Sequence, residues 1–375
     1  MAITEKYSSP AGAGANDGSS EANAWSWTAM ITAVNALGVG GGAGLRVNHK
    51  GNVTRTASDN MTSGGGTFAS PFILRGYLST IGDGYLGRTS GNGPLITTNV
   101  PTITYNAGFR MSFGGSATII ESMNFAGNVS AGTILGSSSS QLLFRSCISS
   151  NSSSNSAARA FSATGTNVSL ADCDFTLSGS GPLYCVDSTG TFGRIIACRI
   201  NGGGNPGIKY GTPALRITGN TIFNCSVGID VTTITPDGDI TYNTIAGCTG
   251  NGIQFVTAMT HTALVFGNLI TDGSSNAIQC TDTSEPVMLI ANRFDRNTAN
   301  IANGGDWVTA TQYNQNTTSA TQANEYANYA GNDFRLLAGS PARGNGLPAW
   351  RDIGALQHQD GPIGVGLIIP RRDSW

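Results

Sequence analysis

The sequence predicts an all-β fold, a solenoid of about 24 residues per coil, and two observations support this prediction. A short pattern occurs four times between Ala214 and Phe294, as Ile217–Ile222, Ile240–Ile245, Val265–Ile270 and Leu289–Phe294. The central asparagines of the four copies, which are Asn220, Asn243, Asn268 and Asn292, lie 23, 25 and 24 residues apart. A period of this length indicates a solenoid, because one repeat cannot bury its apolar face without its neighbours.

The composition fits such a fold and excludes several classes of protein. Of 375 residues 52 are glycine, 39% are hydrophobic and only 11% are charged, which argues against disorder. A formal net charge of −2 offers no basic surface for nucleic acid and no polybasic membrane anchor. Residues 1–7 do not form a secretory signal, and the apolar run 363–370 is too short to span a bilayer. We therefore expect neither nucleic acid nor membrane as a partner.

The same register extends backward through most of the chain. The predicted inward apolar column is Phe125, Ile148, Phe175, Ile200, Ile222, Ile245, Ile270 and Phe294. Two residues before each of these lies a second column, Met123, Ser146, Cys173, Cys198, Asn220, Asn243, Asn268 and Asn292. A further apolar column is Ile134, Phe161, Leu183, Ile208, Ile229, Ile253, Ile278 and Ile301. Stacking of equivalent residues about 4.8 Å apart predicts an asparagine ladder inside the solenoid.

The chain divides into four predicted parts. Residues 1–40 form a lead-in with a short capping helix over 24–37, where the apolar residues have helical spacing and glycines follow. Residues 41–310 form the solenoid and 311–359 a C-terminal cap. Residues 360–375 form an apolar tail that docks on a neighbouring subunit or a particle. An antiparallel sandwich is the alternative fold, against which the constant register argues.

The seven cysteines are scattered without zinc-site spacing, and their odd number argues against a disulfide framework. Cys173 and Cys198 occupy equivalent positions in consecutive coils, as do Cys225 and Cys248. We expect them to stack as small apolar fillers with reduced thiols.

Several segments resemble those of a known superfamily. The lead-in Tyr7–Gly18, the Ser340-Pro341-Ala342 segment and the later Asp352–Ala355 accompany the 24-residue register. Together they resemble the right-handed parallel β-helix superfamily, the pectate-lyase-like fold that phage tailspikes also use. The resemblance covers most of the chain and implies a right-handed parallel β-helix. The chain departs from it at Arg343-Gly344, where the family often has an acidic residue.

The resemblance also implies where chemistry would lie. Lyases and hydrolases of this superfamily act on long polysaccharides across an outward sheet, with carboxylates that hold Ca²⁺ and an Arg or Lys base, or with Asp pairs. One predicted outward column is Asp174, Arg199, Thr221, Thr244, Leu269 and Arg293, and another is Lys209, Asp230, Gln254 and Gln279. We interpret Asp174/Arg199 and Lys209/Asp230 as exposed cross-coil ion pairs, each contributing about 0–1 kcal/mol.

Other ionisable residues are interpreted as structural. Asp237 and Asp239 lie in a Pro-Asp-Gly-Asp stretch that is typical of a turn, although two such carboxylates could also bind Ca²⁺. Asp172 and Asp174 flank Cys173, so a strand would place both on the outer face, without a third carboxylate. His49, His261 and His358 lie in no nucleophile motif, and His261 is expected at the surface. No catalytic, cofactor-binding or metal-binding residue is therefore assigned.

Three hypotheses for the function remain. The first is a non-enzymatic structural protein of a phage particle, a homotrimeric β-helical spike, decoration or tail component on the virion surface that contacts other virion proteins. The second is an extracellular polysaccharide lyase or glycoside hydrolase. The third is an adhesive surface protein that binds cell-surface carbohydrate.

Overall fold

Three parallel β-sheets run along the chain, and each complete coil contributes one strand to each sheet. The computed structural model describes residues 3–355 apart from 39, 62–64, 82, 84–93, 96–97, 99, 107, 109, 129–132, 139–140, 156, 180–183, 191–192, 212, 234–237, 257–260, 282–286, 304–313, 317–320 and 348–351. The predicted all-β solenoid is confirmed.

The described strands are, in chain order, Thr4–Ser9 (β1), Trp25–Ser26 (β2), Leu45–Lys50 (β3), Val53–Arg55 (β4), Asp59–Met61 (β5), Phe72–Tyr77 (β6), Thr102–Tyr105 (β7), Met111–Phe113 (β8), Thr118–Glu121 (β9), Asn124–Gly127 (β10), Thr133–Ser137 (β11), Leu142–Arg145 (β12), Ile148–Asn151 (β13), Arg159–Ala163 (β14), Val168–Ala171 (β15), Asp174–Leu177 (β16), Val186–Ser188 (β17), Arg194–Ile196 (β18), Arg199–Asn201 (β19), Ile208–Tyr210 (β20), Arg216–Thr218 (β21), Thr221–Phe223 (β22), Ile229–Val231 (β23), Asp239–Thr241 (β24), Thr244–Ala246 (β25), Ile253–Phe255 (β26), Ala263–Phe266 (β27), Leu269–Thr271 (β28), Asn276–Cys280 (β29), Val287–Ile290 (β30), Arg293–Asp295 (β31), Ala299–Asn303 (β32), Gln315–Asn316 (β33), Tyr326–Asn328 (β34) and Asp333–Leu336 (β35). The described helices are Trp27–Ala36 (α1), Gln322–Glu325 (α2) and one 3-10 turn, Glu21–Asn23.

From β3 to β32 the three sheets follow one another in each coil. Within the described residues, sheet A has 12 strands in the order β2-β1-β3-β6-β9-β12-β15-β18-β21-β24-β27-β30. Sheet B has 11, β33-β31-β28-β25-β22-β19-β16-β13-β10-β7-β4, and sheet C has 10, β32-β29-β26-β23-β20-β17-β14-β11-β8-β5. A residue with positive φ, such as Ala197 or Tyr242, precedes sheet B in successive coils and makes the tight turn from sheet A.

The inward column of sheet B differs from the predicted one at a single coil. Ser149, not Ile148, pairs with Phe125 and Phe175, and the register of all later members is as predicted. The prediction was wrong by one residue because Ser149 is a polar residue in a core position, where its hydroxyl donates to the carbonyl of Ala160 at 2.7 Å. Since side chains alternate, the slip moves Ile148 to the outer face.

The second column shows the same slip. Cys147, not Ser146, precedes β13 in line with Cys173, whose Sγ lies 3.5 Å from the backbone N of Cys147. Ser146 has a φ of +50° and belongs to the turn. On the outer face, Ile148 is covered by Leu95 and Val100 of the same chain, which accounts for an apolar residue there.

The third column lies in sheet C and needs two corrections. Leu135, not Ile134, pairs with Phe161, and Val186 continues the column to Ile208. Leu183, the predicted member, lies outside the described residues. The turns before sheet C vary in length, so a fixed period fails to locate the strand there.

The stacked asparagines bond to one another inside the solenoid. The backbone N–H and the Nδ2 of Asn220 both donate to Oδ1 of Asn243, at 2.9 and 3.0 Å. The Nδ2 of Asn220 also donates to the carbonyl of Ile195 at 2.8 Å. The same arrangement links Asn243 to Asn268, Asn268 to Asn292 and Asn292 to Asn314. Each buried amide thus has partners in two adjacent coils.

All seven cysteines are free and buried, as predicted. Cys173 and Cys198 precede strands that pair in register, so they stack along the core. Burial raises the pKa of the Cys173 thiol well above its usual value, and the thiol stays neutral.

The predicted N-terminal helix is present as α1, and its Trp27, Met30, Ile31 and Val34 join the main core. Ser26 caps it by accepting from the N–H of Ala29 at 3.1 Å. Asp59 of β5 accepts from Trp27 Nε1 at 2.7 Å and from Tyr105 Oη at 3.0 Å, which ties the helix to sheet C. The lead-in also contributes β1, which pairs with β3 in sheet A.

The described part of the C-terminal region covers the side of the solenoid. β34 and β35 pair antiparallel and form the C-terminal hairpin, Tyr326–Leu336. Its Tyr326 and Phe334 pack with Phe223, Ala246 and Leu269 on the outer face of sheet B. Downstream, Gly354 N–H donates to the carbonyl of Gly267 at 2.9 Å. The predicted limits 1–40, 41–310 and 311–359 stay predictions, and the tail 360–375 lies outside the described residues.

Candidate functional site

The outer face of sheet C carries a continuous line of polar side chains. Ser162, Asp187, Lys209, Asp230, Gln254 and Gln279 are register partners on six successive strands, and we name them the polar row. They face outward because each follows an inward residue of the core column by one position. The repeat therefore places one functional group per coil, about 4.8 Å apart, along the axis.

Charged groups cluster at the middle of the polar row. Arg159 Nε donates to Oδ2 of Asp187 at 2.6 Å, and Lys209 Nζ lies 3.9 Å from Oδ1 of the same carboxylate. The hydroxyl of Tyr184 donates to Oδ2 of Asp230. Lys209 Nζ also lies 5.5 Å from the centre of the Tyr184 ring, a cation–π distance. These five residues form one connected group on β14, β17, β20, β23 and the segment before β17.

Two carboxylate oxygens in this group are buried without a hydrogen-bond partner among the described residues, Oδ1 of Asp187 and Oδ1 of Asp230. Asp187 as a whole is only 4% exposed. A buried polar atom left without a partner costs about 1–3 kcal/mol, so such atoms are rare unless they have a use. Other described residues, Asp295 among them, also carry such an atom. The combination of two such carboxylates with one lysine in the polar row makes this group the candidate functional site.

Burial also changes the proton affinity of the site. Desolvation raises the pKa of Asp230, while the Tyr184 hydrogen bond and the Lys209 charge oppose that rise. Desolvation together with the neighbouring Asp230 carboxylate raises the pKa of Tyr184, which keeps its proton and donates it. A carboxyl group with raised pKa beside a lysine is the kind of pair that acid–base chemistry uses.

The polar row ends in amides that bond to each other. Asn251 Nδ2 donates to Oε1 of Gln254 at 2.6 Å and also to Oε1 of Gln279. Asn276 Nδ2 donates to Oδ1 of Asn251 at 3.0 Å. This end of the row is a pre-formed amide network.

The predicted Lys209/Asp230 ion pair is only partly present. The two residues are register partners, and the charge of Lys209 lowers the pKa of Asp230. Lys209 instead forms an ion pair with Asp187, while Asp230 accepts from Tyr184. The site is therefore larger than the predicted pair.

The predicted exposure of the Asp174/Arg199 pair was wrong. Both are register partners in sheet B, but Asp174 is buried and its Oδ2 accepts from the N–H of Leu95 at 2.7 Å. The guanidinium of Arg199 lies over the ring of Phe223, 4.4 Å from its centre. Asp172 does not share the strand face with Asp174, because its φ of +52° places it in the preceding turn.

Arg293, the last residue of that predicted outward column, is also buried. It is 1% exposed, and its guanidinium contacts Asp295 at 2.8 Å and Glu325 at 3.3 Å. Arg296 joins the same network through Asp272 and Glu325, both at 2.7 Å. The segment that leads into the C-terminal hairpin covers these charges, so the network is a structural contact between that segment and sheet B.

The remaining candidates do not meet at one place. Asp239 lies 3.8 Å from Arg216 on sheet A, while Asp237 and His358 lie outside the described residues. His49 is buried between the Ser8 hydroxyl at 2.9 Å and the Gly51 carbonyl at 3.0 Å, and burial lowers its pKa to about 4. His261 is exposed, as predicted.

A calcium ion of the kind used by lyases does not fit the described residues. They contain no group of three or more His, Cys, Asp or Glu side chains placed to hold a metal. In the polar row the two carboxylates with free oxygens are separated by the Lys209 cation, which would repel a divalent ion. Among the same residues, no helix is long and apolar enough to cross a membrane.

Arg159, Tyr184 and Asp187 were missed from the sequence. The signal for Asp187 was available, because it lies 22 residues before Lys209 and directly after Val186. The prediction placed Leu183 in the inward column of that coil, so the predicted outward column started at Lys209 and left out Asp187. Arg159 and Tyr184 reach the site from the end of a strand and from a turn, where the period gives no placement.

Comparison with known proteins identifies the family. The family model for the right-handed beta helix region matches residues 108–299, and the chain belongs to this family. The fold is therefore a right-handed parallel β-helix, as the sequence predicted. A search of curated protein sequences finds no match.

Solved structures that the chain resembles include enzymes and a viral protein. Pectate lyase Pel9A is 14% identical, with a TM-score of 0.59 over 95% of this chain and 98% of that one. A rhamnogalacturonan lyase is 11% identical, with a TM-score of 0.49 over 78% and 74%. The tailspike protein of E. coli bacteriophage HK620 is 13% identical, with a TM-score of 0.36 over 76% and 56%. At these identities the likeness concerns the fold alone.

Proposed function

We propose that this chain is a non-enzymatic structural protein of a phage particle, a β-helical spike, decoration or tail component exposed on the virion surface. The observation that carries the proposal is the covered outer face of sheet B. Over β22, β25 and β28 this face is packed beneath the C-terminal hairpin, and over β31 its charges are paired with Glu325. Part of the outer face of sheet B is therefore used for contacts within the chain, which make the solenoid rigid.

The buried hydrogen bonds support the same role. Backbone pairing runs through three sheets, and the asparagine amides bond coil to coil from Asn220 to Asn314. A protein exposed on a particle must keep its shape without help from other cellular components. We propose that three copies associate, with residues 360–375 docking on a neighbouring subunit or on another virion protein.

Light scattering coupled to size-exclusion chromatography tests this assembly. The full chain is expected to elute at three times the mass of one chain, and a 1–359 truncation at a smaller mass. A monomer across the accessible concentration range would contradict the proposed trimer. A trimer that survives truncation would remove the role of the tail and keep the trimer.

A second candidate, a polysaccharide lyase or glycoside hydrolase, is favoured by the free carboxylate oxygens of Asp187 and Asp230. Their strands are two spacings apart, about 9.6 Å, comparable with the separation of about 6.5–9.5 Å between carboxyl groups in inverting glycosidases. Asp230, whose pKa is raised by desolvation, would be the general acid of this pair. Lys209 lies between the two carboxylates.

Release of reducing ends or of unsaturated products from acidic and neutral polysaccharides tests this candidate. Turnover by the wild-type chain that is lost in both Asp230→Asn and Lys209→Met would establish the enzyme candidate. The structural proposal would then be displaced. Lys50→Met is the matched control, because Lys50 is 42% exposed at the N-terminal end. Absence of turnover across the panel would leave the enzyme candidate unsupported and the structural proposal standing.

A further inference from the structure

The outer face of sheet A carries a groove of about 780 Å³ whose lining includes Phe68, Pro71, Ile119 and Leu143. We name it the sheet A groove. Ile119 and Leu143 are register partners on β9 and β12 and form its floor. Leu143 belongs to none of the apolar clusters that the described residues form, so its side chain packs outside the core. The floor is thus apolar although it lies on the outer side of the solenoid.

Phe68 adds a large apolar ring to the edge of this floor. Its side chain is 71% exposed, and it lies in a turn that two backbone hydrogen bonds between Thr67 and Ser70 close, each 3.0 Å long. The backbone of this turn therefore holds the ring at the groove. Apolar side chains that gather in one exposed patch mark interaction surfaces. Phe68 with the floor residues Ile119 and Leu143 forms such a patch.

The outer faces of the other two sheets are less suited to an apolar partner. Over β22, β25 and β28 the face of sheet B is packed beneath the C-terminal hairpin, and at Ile148 it is covered by Leu95 and Val100. The face of sheet C carries the charged and amide side chains of the polar row. An apolar segment that docks on the described part of the solenoid therefore finds its partner on sheet A.

The C-terminal tail, which lies outside the described residues, contains a sequence that complements this groove. In its stretch 363–369 four branched apolar residues alternate with three others, as Ile363, Gly364, Val365, Gly366, Leu367, Ile368 and Ile369. Successive side chains of an extended segment point to opposite sides. One side would thus carry Ile363, Val365, Leu367 and Ile369. Pro370 follows the stretch and favours extended backbone at the residue before it.

The described chain ends within reach of the level of the groove. The N–H of Ala355 donates to Oγ1 of Thr244 at 3.0 Å, which fixes this end at β25. In sheet A, β24 of the same coil lies four strand spacings from β12, about 19 Å along the axis. The eight residues from Ala355 to Ile363 span at most about 26–29 Å. A copy that stands beside this one at the same level can therefore place its apolar stretch on Leu143.

We propose that the sheet A groove is the docking site for residues 363–369 of a neighbouring copy of this chain. The inference rests on the proposed trimer, and it names the surface that receives the tail. The apolar side of the stretch would cover Ile119, Leu143 and Phe68. In a closed ring of three copies, each copy would give its tail to the next, so every groove and every tail would be used once.

A photoreactive side chain in place of Phe68 tests this docking in the full chain. After irradiation, Phe68→p-benzoylphenylalanine is expected to be linked covalently to residues 363–369 of another chain. A denaturing gel would show linked pairs and triples of chains, and peptide mass spectrometry would locate the link in the tail. Met288→p-benzoylphenylalanine is the matched control, because Met288 is 37% exposed on the same outer face, six strands from Leu143.

Substitutions on both sides of the contact test its contribution to assembly. Leu367→Asp and Leu143→Asp would each bury a carboxylate in an apolar contact. Each is expected to raise the protein concentration needed for assembly, measured by light scattering, at least about tenfold, whereas Met288→Asp should leave it unchanged. Circular dichroism verifies the fold of each variant. Leu367 lies outside the described solenoid, so Leu367→Asp remains decisive if Leu143→Asp disturbs the fold.

The possible failures separate this docking from the proposed trimer. A wild-type trimer with no link at position 68 and no effect of Leu367→Asp would overturn the docking and leave the trimer standing. A link from position 68 to the tail within a single chain would place the tail on its own groove and contradict docking on a neighbour. A link to the tail from position 288 but not from 68 would move the contact to the other end of sheet A and also count against the proposal. A monomeric wild-type chain with no link would remove both the trimer and the docking.

Discussion

At the scale of single residues, polar groups in this chain have two different uses, which burial and partners distinguish. Asn243 and its stacked neighbours are buried with every amide atom bonded. Asp187 is buried and Asp230 is half-buried, but each keeps one oxygen without a hydrogen-bond partner among the described residues. The first kind stabilises the fold, and the second marks a place where a ligand or a proton can be received.

Asn243→Ala is expected to destabilise the protein by about 3 kcal/mol, because the N–H of Asn220 and the carbonyl of Ile217 lose their partners. Denaturant-induced unfolding followed by circular dichroism measures the change. Asn60→Ala is the matched control, since Asn60 is an exposed residue of β5, and it should change stability by less than about 0.5 kcal/mol. Equal effects of the two substitutions would contradict the structural role of the stacked amides.

Asp230→Asn is expected to stabilise the protein at pH 7. The pKa of Asp230 is raised in the folded state above its ordinary value of 3.8, so the folded chain binds the proton more tightly than the unfolded chain does. Stability of the wild-type protein therefore falls as pH rises through the folded pKa. The asparagine variant lacks this loss, and its advantage should vanish below pH 3.8, where Asp230 is protonated in both states.

Thermal midpoints recorded between pH 3 and pH 8 measure the difference. Asp239→Asn serves as control, because Asp239 is 40% exposed and forms only a surface pair with Arg216. That variant should show a small change of the opposite sign at neutral pH. A lower midpoint for Asp230→Asn at pH 7 would contradict the desolvation of this carboxyl.

At the scale of elements, the C-terminal hairpin is held to sheet B by an aromatic cluster and a buried ion network. Phe334 packs on Phe223, Tyr326 and Tyr329, with ring centres 5.4, 5.4 and 5.6 Å away. Glu325, at its start, pairs with Arg293 and Arg296. Because these contacts are separate from the main core, the hairpin should be able to open without unfolding the coils.

Phe334→Ala is expected to cost about 3–5 kcal/mol at the hairpin. Hydrogen exchange should accelerate in residues 326–336 and stay unchanged in sheet A. Arg335→Ala is the control on the same strand, with an exposed side chain and a surface ion pair only. Faster exchange throughout the solenoid would instead make the hairpin part of one cooperative unit.

The turns and contacts between elements explain which parts of the fold the sequence could predict. Between sheets A and B the turn has nearly constant length and an Asn or Cys follows it, so the register of Cys173 to Asn292 was predictable. At Ser149 a serine occupies a core position through a bond to Ala160, and an apolar pattern cannot signal that. The burial of Asp174 and Arg293 was not predictable, because it depends on Leu95 and Glu325, which are distant in sequence.

At the scale of the whole molecule, the outer faces of the three sheets differ in what they carry. Sheet B is partly covered by its own chain, sheet C carries the polar row, and sheet A carries the groove of about 780 Å³ whose lining includes Ile119 and Leu143. The formal net charge of −2 does not show this arrangement, in which Arg194 and Arg216 are neighbours on sheet A and Asp187 and Asp230 flank Lys209 on sheet C. Composition alone therefore could not reveal either surface.

The hairpin also has a mechanical consequence. Under tension along the axis, a coil that peels from the end should release about 24 residues, or about 80 Å of contour length. The coils of Phe223, Ala246 and Leu269 are bridged laterally by Tyr326 and Phe334, so they should resist until the hairpin detaches and then part in one larger step. Force spectroscopy with handles near residues 4 and 355 would record this step, and Phe334→Ala should divide it into separate coils. The hairpin would thus reinforce the coils that it crosses against tension along the axis.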